Sequence, residues 1–378
     1  MPSGCGFFCN FAAMNTKETH VFEFDAVILQ NTPCYIIGLR KDSRKQMGKS
    51  FGDPVHVTFY ERKGKQSLMK RIILLLLVAL IVFGCSHQPQ TLNEVKSEFV
   101  TIDDSVKVHY KIWNHQLDAK TLCFVHGFGC DMNTWEKQFE AFRDEEVQLV
   151  FIDLPGYGKS DKPHVDYTFD CFAHAIDKVL NANSIKDAVF VGHSLGTPVC
   201  RHTLMTTDHS GALVDVDGVY CFYDGTETSE YVEAIHQFGH AFDGPDCREV
   251  IMGFVSSLAG NDTPQWVTDY AMSVMPETPQ YVASSTMQHL VEPQWWPNMQ
   301  LTIPVMVICT QNSGLEPDNE QKMQALYPNL DYTELTTCGH FIHMEQAELF
   351  NTKLKEIAKL LCCQRILKKK PTHKAGSK

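Results

Sequence analysis

The sequence predicts an α/β protein: a mostly parallel eight-stranded sheet with helices on both faces. Three observations predict it. From residue 98 to residue 363, apolar β-branched runs alternate with stretches of helical periodicity, the pattern of a parallel sheet covered on both sides. One run, Ala188-Val189-Phe190-Val191, ends abruptly in Gly192-His193-Ser194-Leu195-Gly196 and passes into a helix-compatible stretch. About 265 residues is ample for a core of this kind.

The elements follow in order. Residues 98–103 and 106–113 read as an opening hairpin with its turn at Asp104-Ser105. The next strands are 121–125, 148–154, 187–192 and 217–223, with helices at 133–142, 168–180 and 195–205 between them. Pro198 falls in the first turn of the last helix, where a proline is tolerated. The stretch from Gly225 to Pro304 is too long for one crossover helix. A seventh strand in the stretch from Val305, an eighth at 332–335 and helices at 318–326 and 344–361 close the domain, and Leu349, Phe350, Leu354, Ile357, Leu360 and Leu361 form one apolar face of the last.

Strand, Gly-x-Ser-x-Gly and helix in that order make a nucleophile elbow, with the Ser194 hydroxyl pointing out of the sheet. A β-carbon at Gly192 or Gly196 collides with neighbouring backbone in such a turn. Leu195 opens the helix, so its N–H is free to meet a developing oxyanion. Upstream, His126-Gly127-Phe128-Gly129 follows a buried strand and supplies the Phe128 N–H as second donor. Downstream, His340 in Cys338-Gly339-His340 leaves a strand and is placed to act as general base. His126 reads as a structural loop residue, Asp153 as a loop brace, and His193 receives no chemistry.

These motifs resemble the α/β-hydrolase family. Phe151-Ile152-Asp153-Leu154-Pro155-Gly156-Tyr157-Gly158-Lys159-Ser160 is similar to that family's segment after the fourth strand, and Trp135 fits as well. The resemblance covers roughly residues 98 to 363 and implies a helical cap, about 225–303, folded over the serine. Many members carry the triad acid after the seventh strand, four residues before a proline. Here that position is Ser313, ahead of Pro317. Other members carry it after the sixth strand, where Asp224 precedes Gly225. Asp224 is therefore the expected orienter of His340, with Glu316 and Asp318 as alternatives. Asp224 also reads as a turn aspartate.

A serine nucleophile with a base and two N–H donors suits acyl transfer. The expected substrate is a small acyl compound, foremost a carboxylic ester, cleaved through an acyl-enzyme. Trp266, Trp295, Trp296, Met252, Met272, Met275 and Met287 lie in the cap stretch, where they pack the cap onto the core or line an apolar acyl pocket. A non-catalytic hydrolase-like receptor or scaffold, binding a small ligand under the cap, fits a chain without an acid after strand seven. No glycine-rich phosphate loop or dinucleotide fingerprint is present, so no cofactor is expected. Nor does any metal signature appear.

The chain before residue 98 has its own logic. Met69-Lys70-Arg71 is followed by twelve uninterrupted apolar residues, then by Gly84-Cys85 and a polar stretch. This resembles a bacterial lipoprotein signal with Cys85 as the lipidated residue, which implies attachment at the cell envelope. The alternative is a short membrane anchor, since a spanning helix needs about 20 residues. Residues 1–68 are a small β-rich segment of unknown role or a start-site artefact, with strand-like alternation at 21–29, 34–39 and 55–60. Residues 86–97 read as a linker and 364–378 as a basic, disordered tail.

Of the whole-chain charge of −12, residues 1–68 carry nine basic and six acidic groups, 69–84 two basic, and 365–378 six basic and no acidic, leaving −23 between. A domain so acidic does not bind nucleic acid non-specifically, and membrane attachment needs an anchor rather than a surface patch. Fourteen cysteines without regular pair spacing form no disulfide framework. Cys123, Cys221 and Cys309 are expected in buried strands as small apolar residues.

Overall fold

The computed structural model describes residues 12–16, 19–27, 54–60, 90–103, 105–116, 119–223, 227–311 and 318–368, and the side chains of the last segment as far as 359. The chain divides into two compact units, Met1–Gln88 and Pro89–Lys378. The first holds three antiparallel strands, β1 (Ala12–Thr16), β2 (Thr19–Val27) and β3 (Pro54–Tyr60), in the order β1-β2-β3. Two of these lie where alternation predicts them, and β1 was not expected. Residues 34–39, the apolar run from 69 and Cys85 lie outside the described residues. Among the described residues no helix is long and apolar enough to cross a membrane.

The second unit is an eight-stranded sheet built from β4 (Ser97–Ile102), β5 (Val106–Trp113), β6 (Thr121–Val125), β7 (Gln148–Ile152), β8 (Asp187–His193), β9 (Ser210–Val216), β10 (Val305–Thr310) and β11 (Leu330–Leu335). Their spatial order is β11-β10-β9-β8-β6-β7-β5-β4. The pairings β4–β5 and β5–β7 are antiparallel and all others parallel. The central strands are apolar throughout because both faces are covered. Leu122, Phe124, Val189, Val191, Met306 and Ile308 enter one core cluster. Their alternating neighbours Cys123, Val125, Ala188, Phe190, Val307 and Cys309 enter the other.

Among the described residues, ten helices cover the sheet and form the cap. They are α1 (Glu136–Phe142), α2 (Phe169–Ala182), α3 (Gly196–Thr206), α4 (Ser229–His240), α5 (Cys247–Ser257), α6 (Gln265–Val274), α7 (Gln280–Leu290), α8 (Asn319–Leu326), α9 (Ile342–Glu345) and α10 (Ala347–Lys368). Helix α2 shows how locally they are specified. Thr168 caps its start by accepting from the Cys171 N–H at 3.1 Å, a contribution of about 1 kcal/mol. Phe169, Phe172, Ala173, Ile176, Val179 and Leu180 then bury one face. The stretch read as one helix over 344–361 is two, interrupted at Gln346, and the second runs on to Lys368.

One strand lies seven residues before its expected place. Residues 217–223 were expected as the sixth strand of this sheet, and Ser210–Val216 takes that place. Asp215 lies inside it with no exposed surface, and an aspartate in a buried strand runs against ordinary burial preference. Cys221 accordingly lies beyond the strand, although still buried. Cys123 and Cys309 occupy strands as expected, and burial pushes both thiols up to about 12.

Candidate active site

The register of the sheet brings the site together. His193 on β8 pairs with Val216 on β9, so the next residues, Ser194 and Asp217, leave the same edge side by side. Both have left-handed backbone, with φ of 52° and 48°. The Ser194 N–H donates to the Val216 carbonyl at 3.1 Å and the Asp217 N–H to the Ile308 carbonyl at 2.8 Å, which pins the two turns. The glycines of the elbow are required by close approach. A β-carbon on Gly192 would stand 2.5 Å from the Gly196 carbonyl, and one on Gly196 would stand 2.3 Å from the Val125 carbonyl oxygen.

His340 arrives from the turn after β11. Its Nδ1 meets Asp217 Oδ2 at 2.6 Å, and Asp217 Oδ1 accepts the Thr310 N–H at 2.9 Å. Asp217 and His340 are 2% and 8% exposed, so the pair is held away from bulk water. The residue oriented against the imidazole is thus Asp217. Asp224, the expected orienter, and Glu316, one of its alternatives, lie outside the described residues. Asp318 is described; it precedes α8 and pairs with Lys322 at 3.1 Å. Asp217 is concealed in the sequence because 217–223 reads as a strand, which makes Asp217 its first residue, whereas it is the first residue after β9. Its signal was Ala212-Leu213-Val214 running into Asp215-Val216-Asp217-Gly218.

Ser194 and His340 line one cavity of about 10 Å³, room for roughly a single water. Phe128 lines it too, and the cap closes it with Phe254, Leu258 and Met275. Of the four cap methionines singled out, Met275 reaches this cavity, Met287 is buried and Met252 is 43% exposed. Among the described residues, neither the Phe128 nor the Leu195 amide donates to a protein acceptor. Both residues are buried, and buried unpaired amides are rare. Two such amides beside a serine have the form of an oxyanion hole.

His126 and His193 stand near the serine without being its base. His126 accepts the Leu154 N–H on Nε2 at 3.1 Å and contacts the Gly127 carbonyl through Nδ1 at 2.8 Å, so it braces the loop, as expected. His193 is fully enclosed, and its Nε2 lies 3.1 Å from the His340 carbonyl oxygen. A carbonyl only accepts, so that nitrogen carries the proton. Burial, reinforced by His343 and His340, holds the His193 ring neutral. His193 therefore fastens the backbone of the turn that carries His340, a role its sequence position did not disclose. The cap grips the same turn, because the His340 N–H donates to the Leu258 carbonyl at 2.9 Å.

Relatives match this chain over part or most of its length. The mouse 1-acylglycerol-3-phosphate O-acyltransferase ABHD5 is 23% identical over 301 residues, 69% of this chain and 84% of that protein. The bifunctional esterase/perhydrolase of Acinetobacter calcoaceticus is 32% identical over 98 residues, 26% of this chain and 35% of that one. Among solved structures, an esterase of Exiguobacterium antarcticum matches with a TM-score of 0.61 at 16% identity, covering 70% of this chain and 100% of its own. An epoxide hydrolase of Vigna radiata matches at 0.58 and 16%, covering 71% and 99%. The model of the alpha/beta hydrolase family matches residues 124–353, and with a serine elbow, a buried Asp–His pair and the sheet order that joins them, the chain belongs to that family.

Proposed function

We propose that this protein is a serine hydrolase that cleaves a carboxylic ester with an apolar acyl group. The observation that carries the reading is the buried Asp217–His340 pair opening onto the cavity that Ser194 lines. His340 Nε2 takes the Ser194 hydroxyl proton as Oγ attacks the ester carbonyl carbon. The Phe128 and Leu195 amides hold the oxyanion. The tetrahedral intermediate collapses, and the alkoxide leaves with the proton from His340. Water then attacks the acyl-serine, giving its proton to His340, and the second collapse releases the carboxylic acid and restores the serine. Asp217 keeps Nδ1 protonated and stabilises the imidazolium.

Phe254, Leu258 and Met275 over the serine favour an apolar acyl group. The receptor reading drew on the missing acid after strand seven; Asp217, which follows β9 and meets His340, supports the hydrolase instead. A fluorophosphonate probe followed by p-nitrophenyl esters of increasing acyl length tests the proposal. Labelling at Ser194, lost in Ser194→Ala and accompanied by turnover, is expected. An unlabelled, folded protein without turnover overturns it. Attachment at a membrane through residues 69–85 is proposed separately, and an unmodified Cys85 peptide from membrane-associated protein would overturn the lipidated form.

A further inference from the structure

A second cavity, of about 110 Å³, shares no lining residue with the one at Ser194. We propose that it binds a small organic monocarboxylate, with Arg201 as its anion-binding group. Arg201 lies on α3, is 4% exposed and lines this cavity. Its Nη2 donates to the carbonyls of Pro297 at 3.0 Å and Met299 at 2.8 Å. Its Nε is buried without a partner. Carbonyls satisfy donors but bring no countercharge. Among the described residues no carboxylate stands within ion-pair distance of this guanidinium. A buried charge without a counterion is costly, and a ligand carboxylate would supply the missing countercharge and an acceptor for the Nε proton.

The remaining lining sets the ligand's charge and shape. Lys322 is offset by Asp318 at 3.1 Å and stands 5.4 Å from the Phe222 ring centre. Arg201 is therefore the lining cation left without a carboxylate, and one guanidinium matches a monoanion; the Asp215 carboxyl acts on the same Tyr220 and Tyr327 hydroxyls, and burial pushes it up to about 7. Tyr220, Phe222 and Trp296 provide aromatic walls. The Tyr220 hydroxyl is engaged with that of Tyr327 at 2.8 Å, so the ring offers mainly its face. Asn298 stands exposed at the rim.

Titration calorimetry on the full chain tests this with benzoate as probe and benzamide as its neutral counterpart. Saturable benzoate binding is expected, weakened about tenfold or more for benzamide and in Arg201→Gln. Ser194→Ala is expected to bind benzoate as the unaltered protein does. Asn298→Asp, at an exposed position, is expected to weaken benzoate and leave benzamide unchanged, and it decides the matter should Arg201→Gln fail to fold. Equal binding of the two probes overturns the proposal, as does absence of saturation. So does unchanged benzoate affinity in Asn298→Asp together with a folded Arg201→Gln. Loss of binding in Ser194→Ala overturns it too, by placing the ligand in the catalytic cavity.

Discussion

Two buried aspartate–histidine pairs sit on the same sheet, and they do different things. Asp217 meets His340 at 2.6 Å, and Asp153 meets His109 at 2.7 Å. The contacts are nearly alike in length and burial. The difference lies on the far side of each imidazole. His109 Nε2 is closed off by the Ser97 hydroxyl at 2.9 Å, and the Asp153 carboxylate also takes the amides of Met132 and Lys159, each at 2.8 Å. His340 instead lines the cavity that holds Ser194. A closed pair locks loops to the sheet; an open one is available to exchange a proton. Pair chemistry alone does not mark a catalytic residue here, and what the second nitrogen faces does.

The largest expected effect removes what the open pair faces. Ser194→Ala should lower kcat for ester hydrolysis by about four to six orders of magnitude with little change in thermal unfolding. Next, Asp217→Asn should lower kcat about 10⁴-fold, whereas Asp224→Asn should stay within a few-fold. Steady-state kinetics of the two decides which carboxylate orients His340, and equal losses would break the assignment to Asp217.

The closed pair should fail the other way. Asp153→Asn should cost about 3–5 kcal/mol in denaturant unfolding, because it strands a buried partner, while the folded fraction keeps its kcat. Burial by itself pushes the Asp153 carboxyl up. His109, His126 and the amides of Lys159 and Met132 outweigh that and hold it below the ordinary range. A depressed carboxyl contributes stability above its unfolded value, near 4, and loses it as pH falls through the folded value. The unaltered protein should therefore lose stability over that acid range, and the deficit of Asp153→Asn relative to it should shrink there.

A third carboxylate sharpens the contrast. Asp215 is as buried as Asp153, and burial outweighs the hydrogen bonds from Tyr220, Gly218 and Thr197 and pushes its pKa up to about 7. A raised carboxyl costs stability increasingly between its unfolded value, near 4, and 7. Asp215→Asn keeps an oxygen for the Gly218 amide, which Oδ1 now accepts at 2.7 Å, and cannot ionise. It should gain about 4 kcal/mol over the unaltered protein by pH 8 and little at pH 4. Urea unfolding at the two pH values measures this, and a pH-independent difference would show that Asp215 is charged in the fold.

Much of this architecture is readable in the chain, for physical reasons. Runs such as Thr121–Val125 and Val305–Thr310 are buried on both faces, so their apolar continuity marks them, the first with correct ends. The serine elbow is equally legible, because its close backbone contacts admit only glycine on either side of the motif. The sixth strand is less so. Asp215 interrupts its apolar run, and the cleaner run Val219-Tyr220-Cys221-Phe222-Tyr223 stands just after it. A displacement of seven residues moved the expected acid from 217 to 224. Long-range pairing decides that strand, with Val214 set beside Val191 and Met306, and pairing partners are not written locally. His193 was obscure for the same reason, since its partner lies 147 residues away.

The bond from the His340 amide to the Leu258 carbonyl joins the roof of the cavity to the turn of the base. Raising the roof far enough to admit a substrate exposes that amide to solvent. Deuterium uptake at this one position thus counts openings directly, without any substrate. An adduct on Ser194 that props the roof ajar should speed the uptake, and one that lets it shut should slow it.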